Sequence, residues 1–160
     1  MRPLSIIGRG SRFLAGVQDA TRERWIVSSA YFDGPTVCEP CEKVFQLHFP
    51  DIWEPGLSGI MDKVVTAWGE TGEILPYREL IEEFGEIFPS SISWMLAYAI
   101  KLGYTDIALH GVDMLADWEY GGQRDYLFYL IGLARGRGVK VEMQEYSGVY
   151  LAPERYGVPL

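Results

Sequence analysis

The sequence predicts an α/β protein, a Rossmann-like domain of three layers around a mostly parallel sheet. Three observations predict it. Short apolar runs of strand length recur along the chain. Helical apolar patterns separate the later runs, which calls for right-handed crossovers and parallel pairing. The first run, Leu4 to Ile7, passes straight into a glycine turn, Gly8-Arg9-Gly10-Ser11. A strand that ends this way hands over to a helix N-terminus, which suits an anion.

The elements follow in order. Leu4, Ile6 and Ile7 make a first strand, and Ser11 is placed to cap the helix after it. Trp25-Ile26-Val27-Ser28-Ser29 reads as a second strand and Lys43 to His48 as a third. From Leu57 to Trp68, the residues Ile60, Val64, Val65 and Trp68 recur at helical spacing, against glycines that weaken a helix. Ile74-Leu75-Pro76 reads as a short edge strand, because proline is poorly tolerated deeper in a sheet. A short helix, Arg78 to Phe84, follows. The clearest helix runs from Ser90 to Leu102, with Ser90 or Ser91 as its cap and Gly103 as its stop. Asp106 to Asp113 is a strand that ends in Gly111 and a carboxylate. A long helix spans Tyr120 to Arg135, and Tyr126, Tyr129, Leu130 and Leu133 are spaced as its core face. Val139 to Glu142 is the last strand, and Ser147 to Leu160 reads as a helical turn and a tail.

Bulk properties narrow the function. The 160 residues are expected to form one domain, 1–160, because 48% hydrophobic and 14% aromatic content suffice for a real core. A formal charge of −8 speaks against nonspecific binding to nucleic acid, which needs a basic surface. No apolar run is long enough to cross a membrane, and no h-region follows Arg2, so a membrane partner and a signal peptide are not expected. With two cysteines and no disulfide framework, the expected compartment is the reducing cytoplasm.

In a parallel sheet, ligands bind outside the carboxyl ends of the strands, near the switch point. That rule selects Gly8, Arg9, Gly10 and Ser11, then Ser28 and Ser29, His48, and Gly111 with Asp113. Ser90 and Ser91 open a helix that could face the same crevice. Each has a plainer alternative. The glycines can serve the turn alone. The serines can serve only as caps. Asp113 can accept from a ribose or sugar hydroxyl or act as a general base, or it can cap a turn or pair with Arg124. Arg124 in turn could contact an anion or simply pair with Asp117 or Glu119. Tyr120, beside the Asp113 loop, is a candidate ligand contact. Cys38-Glu39-Pro40-Cys41, with His48 beyond, supplies too few ligands for structural zinc, and a turn with two ordinary thiols is the favoured reading. No motif specifies a cofactor, and neither a Ser-His-Asp set nor H-E-x-x-H is present.

Two blocks resemble known families. Ile6 to Ser11 is similar to the strand and glycine turn that open the bacterial CMP-sialic-acid-dependent sialyltransferases, and to the opening of the hydroxymethylpterin diphosphokinase-like family. Ser90 to Asp113 resembles the sialyltransferases' serine-capped helix, Leu-Gly-Tyr turn and strand ending in Gly-Ile-Asp. Gly111 to Met114, Glu119-Tyr120 and Gln123-Arg124 also look like a pattern in small phage-encoded proteins. The resemblance implies a nucleotide- or nucleotide-sugar-binding fold. It assigns Gly8, Gly10 and Ser11 to phosphate or ribose, Ser90 and Ser91 to the donor, and Tyr120 to a tyrosine near the phosphate. The departures are specific. Arg9 stands in place of the turn's asparagine. Ser28 or Ser29 and the Gln46/His48 neighbourhood replace further asparagines. The family's lid histidine has no counterpart, because no histidine follows His110. An enzyme of this kind would be glycosyltransferase-like, with Asp113 as its candidate catalytic group. The alternative is a non-catalytic adaptor or assembly protein that keeps the fold, as Trp53 and Trp68 outside the obvious core helices suggest.

Overall fold

A computed structural model describes residues 2–10, 13–69, 71–114 and 117–143, with the side chains of 117–120 left aside. In chain order the elements are β1 (Pro3–Ile7), α1 (Phe13–Gln18), β2 (Glu23–Val27), α2 (Ser28–Asp33), α3 (Pro35–Cys38) and β3 (Lys43–Gln46). Two 3-10 turns, Pro50–Ile52 and Pro55–Ile60, lead to β4 (Val64–Thr66) and β5 (Glu73–Ile74). Then come α4 (Tyr77–Phe84), α5 (Ser91–Lys101), β6 (Asp106–His110), α6 (Asp117–Gly136) and β7 (Lys140–Met143).

The seven strands form one sheet in the order β5-β4-β3-β2-β1-β6-β7. Every pairing in it is parallel, with Ile6 opposite Trp25 on one side and Leu109 on the other. The sheet grows one way from β1 to β5, then jumps back to place β6 against the other side of β1. Right-handed crossovers in opposite directions put their helices on opposite faces. Accordingly α1 and α2 both touch α3, while α4 and α6 both pack on α5, which itself lies across β1, β2 and β3. The result is the expected three-layer, Rossmann-like α/β fold.

The strands are apolar on both faces because both are covered. Leu4, Ile6, Ile7, Trp25, Ile26, Val44, Val64, Val65 and Ile107 are fully buried. Trp25 anchors the α5 side, with ring centroids 5.2 Å from Phe45, 5.7 Å from Tyr98 and 5.2 Å from Tyr104. Its indole N–H would be stranded there, and it donates to Glu23 Oε1 at 2.8 Å. Removing that side chain would cost about 3–5 kcal/mol.

Four expectations need correction. Ser28 and Ser29 do not extend β2; they begin α2. Residues 57–68 are no helix. Pro55, Gly56 and Gly59 hold the start to a 3-10 turn, and the β-branched run Val64-Val65-Thr66 is a fully buried strand. His48 and Gly111 to Asp113 lie beyond the ends of β3 and β6. On α6 the buried face is Leu127, Leu130, Ile131 and Ala134, whereas Tyr126, Phe128 and Tyr129 are exposed. The Ser147–Leu160 segment lies outside the described residues.

Candidate functional site

The reversal of strand order falls between β1 and β6, and a crevice of about 600 Å³ opens there, at the carboxyl edge of the sheet. Gly8, Arg9 and Gly10 enter it from the end of β1, and Gly111 and Asp113 from the end of β6. Ser28 and Ser29 line it after β2, and His48 after β3. Ser90 and Ser91 reach it from the start of α5. These residues are separated by up to about a hundred positions in the chain, and the topology alone brings them together. Ser11 and the Tyr120 side chain lie outside the described residues. Sequence reasoning missed the apolar floor, Val27, Phe45, Ile92 and Val112, and also Gln123 from α6. Residues of that kind carry no signal in a sequence, because core and floor positions look alike.

The two glycine turns are locked to one another. The Gly8 amide donates to His110 O at 2.8 Å, and the Gly10 amide to Gly111 O at 2.7 Å. A Cβ on Gly8 would sit 2.5 Å from Gly111 O, and one on Gly10 would sit 2.7 Å from Asp113 Oδ2. Gly111 has φ +61°, and a Cβ there would meet Gly8 O at 2.7 Å. The space the glycines leave is therefore filled by the neighbouring turn. Two of the amides expected to cradle a ligand are already donated, so this turn shapes a wall.

Arg9 stands at the rim. Its Nε donates to Asp33 Oδ2 at 2.6 Å and its Nη2 to Asp33 Oδ1 at 3.2 Å. Both side chains are largely exposed, so the pair contributes at most about 1 kcal/mol to stability. Asp33 carries no signal in the sequence, because it lies beyond the Trp25 to Ser29 run and reaches the rim only through α2.

The α5 side is built differently. Ser90 is the N-cap, with extended backbone at φ −147° and ψ 157°. Its Oγ accepts from the Ser93 amide at 3.3 Å and lies 2.9 Å from Ser93 Oγ. Capping thus occupies Ser90, as its plainer alternative proposed. The amides of Ser91 and Ile92 precede the first carbonyl that a helix could offer them. With the partial positive charge of an eleven-residue helix behind them, they form the electropositive end of the crevice.

His48 is exposed on a loop fixed at two points. Its amide donates to the buried Gln46 Oε1 at 3.2 Å, and its carbonyl accepts from Trp53 Nε1 at 2.8 Å. The other histidine, His110, points away from the crevice into the α1 packing, where a Cβ on Gly16 would touch its ring at 2.7 Å. Its Nε2 is buried with no hydrogen-bond partner. Burial holds its pKa below the usual imidazole value, with Arg22 adding to that effect and Asp19 opposing it.

Cys38 and Cys41 are both free, buried thiols. Burial pushes Cys41 up to about 12, with Glu39 adding to it. Cys38 is raised for the same two reasons. Thiols held protonated in this way are poor nucleophiles and poor metal ligands. Among the described residues, no group of three or more histidine, cysteine or acidic side chains is placed to hold a metal ion, so Cys38, Cys41 and His48 do not converge. Among the same residues, no helix is long and apolar enough to cross a membrane.

Comparison with known proteins gives a distant likeness. No family model matches the chain, and no curated protein matches it. Among solved structures, the chain is similar to the sialyltransferase CstII from Campylobacter jejuni in complex with the substrate analogue CMP-3FNeuAc, at 13% identity and TM-score 0.49, over 89% of this chain and 81% of that one. It is also similar to the same enzyme in complex with cytidine-5′-monophosphate, at 12% identity and TM-score 0.44, over 92% of this chain and 80% of the other.

Proposed function

We propose that the crevice binds a nucleotide or a nucleotide sugar. The observation that carries this reading is convergence at the switch point. A crevice of nucleotide size has an apolar floor, a carboxylate on one wall and a helix N-terminus on the other. Such crevices are where open parallel sheets take their ligands. In this reading the phosphate lies at the amides of Ser91 and Ile92, within reach of Arg9 once it exchanges Asp33 for the ligand. Asp113 accepts from a ribose or sugar hydroxyl. Phe45, Val27 and Ile92 support the base. Gly8, Gly10 and Gly111 set the width of the crevice without donating to the ligand. Ser28 and Ser29 contribute hydroxyls along one side. His48 is the imidazole at the crevice, and if a group is transferred to an acceptor, His48 and Asp113 are the two candidates to take its proton.

Thermal unfolding in the presence of CMP, other nucleotides and sugar nucleotides tests the reading. A ligand that binds only the folded state raises the midpoint in proportion to its occupancy. A rise with at least one of them is expected. No rise with any of them at millimolar concentration would overturn it.

A further inference from the structure

The same edge of the sheet carries a second cavity of different chemistry. It has a volume of about 340 Å³ and lies past the ends of β3, β4 and β5, where Leu47, Trp68 and Leu75 form its inner wall. Tyr77 and Ile81 of α4 and Trp94 of α5 form the outer wall. No charged side chain lines it.

Both indoles are held in place. Trp94 stacks on Phe88 at 3.9 Å with the rings 15° apart. Trp68 packs on Phe49 at 4.6 Å. Its Nε1 donates to Leu47 O at 3.2 Å, and its amide to Thr66 Oγ1 at 3.1 Å. The polar atoms of Trp68 are thus satisfied within the protein, and the hollow presents mainly hydrocarbon and ring surface, with the Tyr77 hydroxyl and the Trp94 indole N–H as its side-chain polar groups. Tyr77, which lines the hollow, remains 37% exposed.

The two cavities share a partition. Leu47 lines the hollow, and the next residue, His48, lines the crevice. Helix α5 gives Ser90 and Ser91 to the crevice and, one turn later, Trp94 to the hollow. Ligands in the two would lie side by side, with the Leu47-His48 peptide between them.

We infer that this hollow is a second binding site, and that it takes the flat, uncharged aromatic ring of a small molecule. Size and chemistry select that class. An apolar cavity of about 150 Å³ accepts benzene, so a hollow of 340 Å³ admits one or two rings. A charged head would be buried without a partner, at a large desolvation cost. A sugar's several hydroxyls would find few partners, since the Tyr77 hydroxyl and the Trp94 indole N–H are the lining side-chain groups left to meet them. The inference goes beyond the nucleotide reading and does not depend on it.

The test uses the full chain with indole and 4-methylphenol as probes and methyl β-glucopyranoside as the sugar control. Binding is read by saturation-transfer NMR and by shifts of the tryptophan indole N–H resonances, with and without CMP. Both aromatic probes are expected to bind in the millimolar range and to move the Trp68 and Trp94 signals, and the glucoside is not. Ile81→Trp fills the hollow and should weaken the probes about tenfold, equivalent to about 1.4 kcal/mol. Trp94→Ala removes a wall without adding bulk and should weaken them too, which secures the test if the first variant does not fold. Thermal midpoints establish that each variant keeps its structure. Binding of the probes to a chain that ignores CMP would sustain this site while overturning the nucleotide reading. The proposal is overturned if neither probe binds, if binding survives both substitutions, or if the glucoside binds in their place.

Discussion

The two walls of the crevice are built on opposite terms. On the β1/β6 side, two glycine turns face each other, with the Gly8 and Gly10 amides donated across to the carbonyls of His110 and Gly111 and no room for a Cβ. On the α5 side, a serine caps the helix while the next two amides have no carbonyl to meet within it. The first wall is closed on itself and stiff. The second holds donors in reserve. The difference shows that a glycine-rich turn after a first strand is not by itself an anion cradle. Its glycines can be demanded by a neighbouring turn, while the donors sit elsewhere.

The sharpest way to break this contrast is to crowd the closed wall. Gly111→Ala combines a left-handed backbone with a Cβ 2.7 Å from Gly8 O. Strain and overpacking together should cost about 3 kcal/mol. Gly103→Ala is the control. It shares a positive φ of +79° but has open space around it, and should cost only about 1 kcal/mol. Denaturant unfolding compares the two. Equal losses would mean that the turn-to-turn contact contributes nothing and that the first wall is no stiffer than an ordinary helix stop.

On the open wall, Ser90→Ala removes the cap and leaves the Ser93 amide without its side-chain acceptor. The expected loss is about 1 kcal/mol, again read by unfolding. Ser90→Asp should retain most of the stability, because a carboxylate caps equally well. If alanine and aspartate behave alike, the cap is not what holds the first turn of α5 at the crevice.

How much of this was legible beforehand depended on whether the signal was local. Ser90 and Gly103 were readable as start and stop because capping is decided within four residues. The crevice residues were readable because strand ends are visible and the switch-point rule gathers them. Residues 57–68 were misread because Ile60, Val64, Val65 and Trp68 satisfy a helical period. The glycines and the β-branched run Val64-Val65-Thr66 outweighed that period. The face of α6 was misread for a related reason. From Tyr126 to Leu133 almost every side chain is apolar, so Tyr126, Tyr129, Leu130 and Leu133 fit the period as well as Leu127, Leu130, Ile131 and Ala134 do. Only packing against α5 and β7 decides between them. The donation of the Gly8 and Gly10 amides to His110 O and Gly111 O was out of reach because it joins positions a hundred residues apart.

A gentler perturbation of the closed wall is acid. His110 supplies the carbonyl that Gly8 binds, and its own ring is half-buried, with Nε2 enclosed and without a partner. Its pKa in the fold lies below the unfolded value of about 6.5. The unfolded chain therefore takes up the proton first. Stability is full above that value, declines as pH falls through it toward the folded value, and then levels off. His110→Gln should flatten this part of the profile. Wild-type and variant curves of the same slope between neutral and mildly acidic pH would show that the histidine is not the group responsible.

The smallest effect on stability should accompany the most informative effect on binding. Ser91 is the first residue of α5, where proline is well tolerated because the amide has no partner inside the helix. The preceding Ser90 already has the extended backbone that a residue before proline requires. Ser91→Pro should thus leave the unfolding midpoint almost unchanged. It nevertheless deletes one of the two unpaired helix-start amides of residues that line the crevice, together with a hydroxyl. If the ligand's phosphate rests on this end of the helix, affinity for the nucleotide that raises the wild-type midpoint should fall by about 1 kcal/mol or more, the worth of a hydrogen bond. Because the fold is preserved, a loss of binding could not be charged to unfolding, as it could be for Gly111→Ala. Unchanged affinity, measured by calorimetry, would move the phosphate away from the open wall and leave Arg9 as the remaining cation at the rim to receive it.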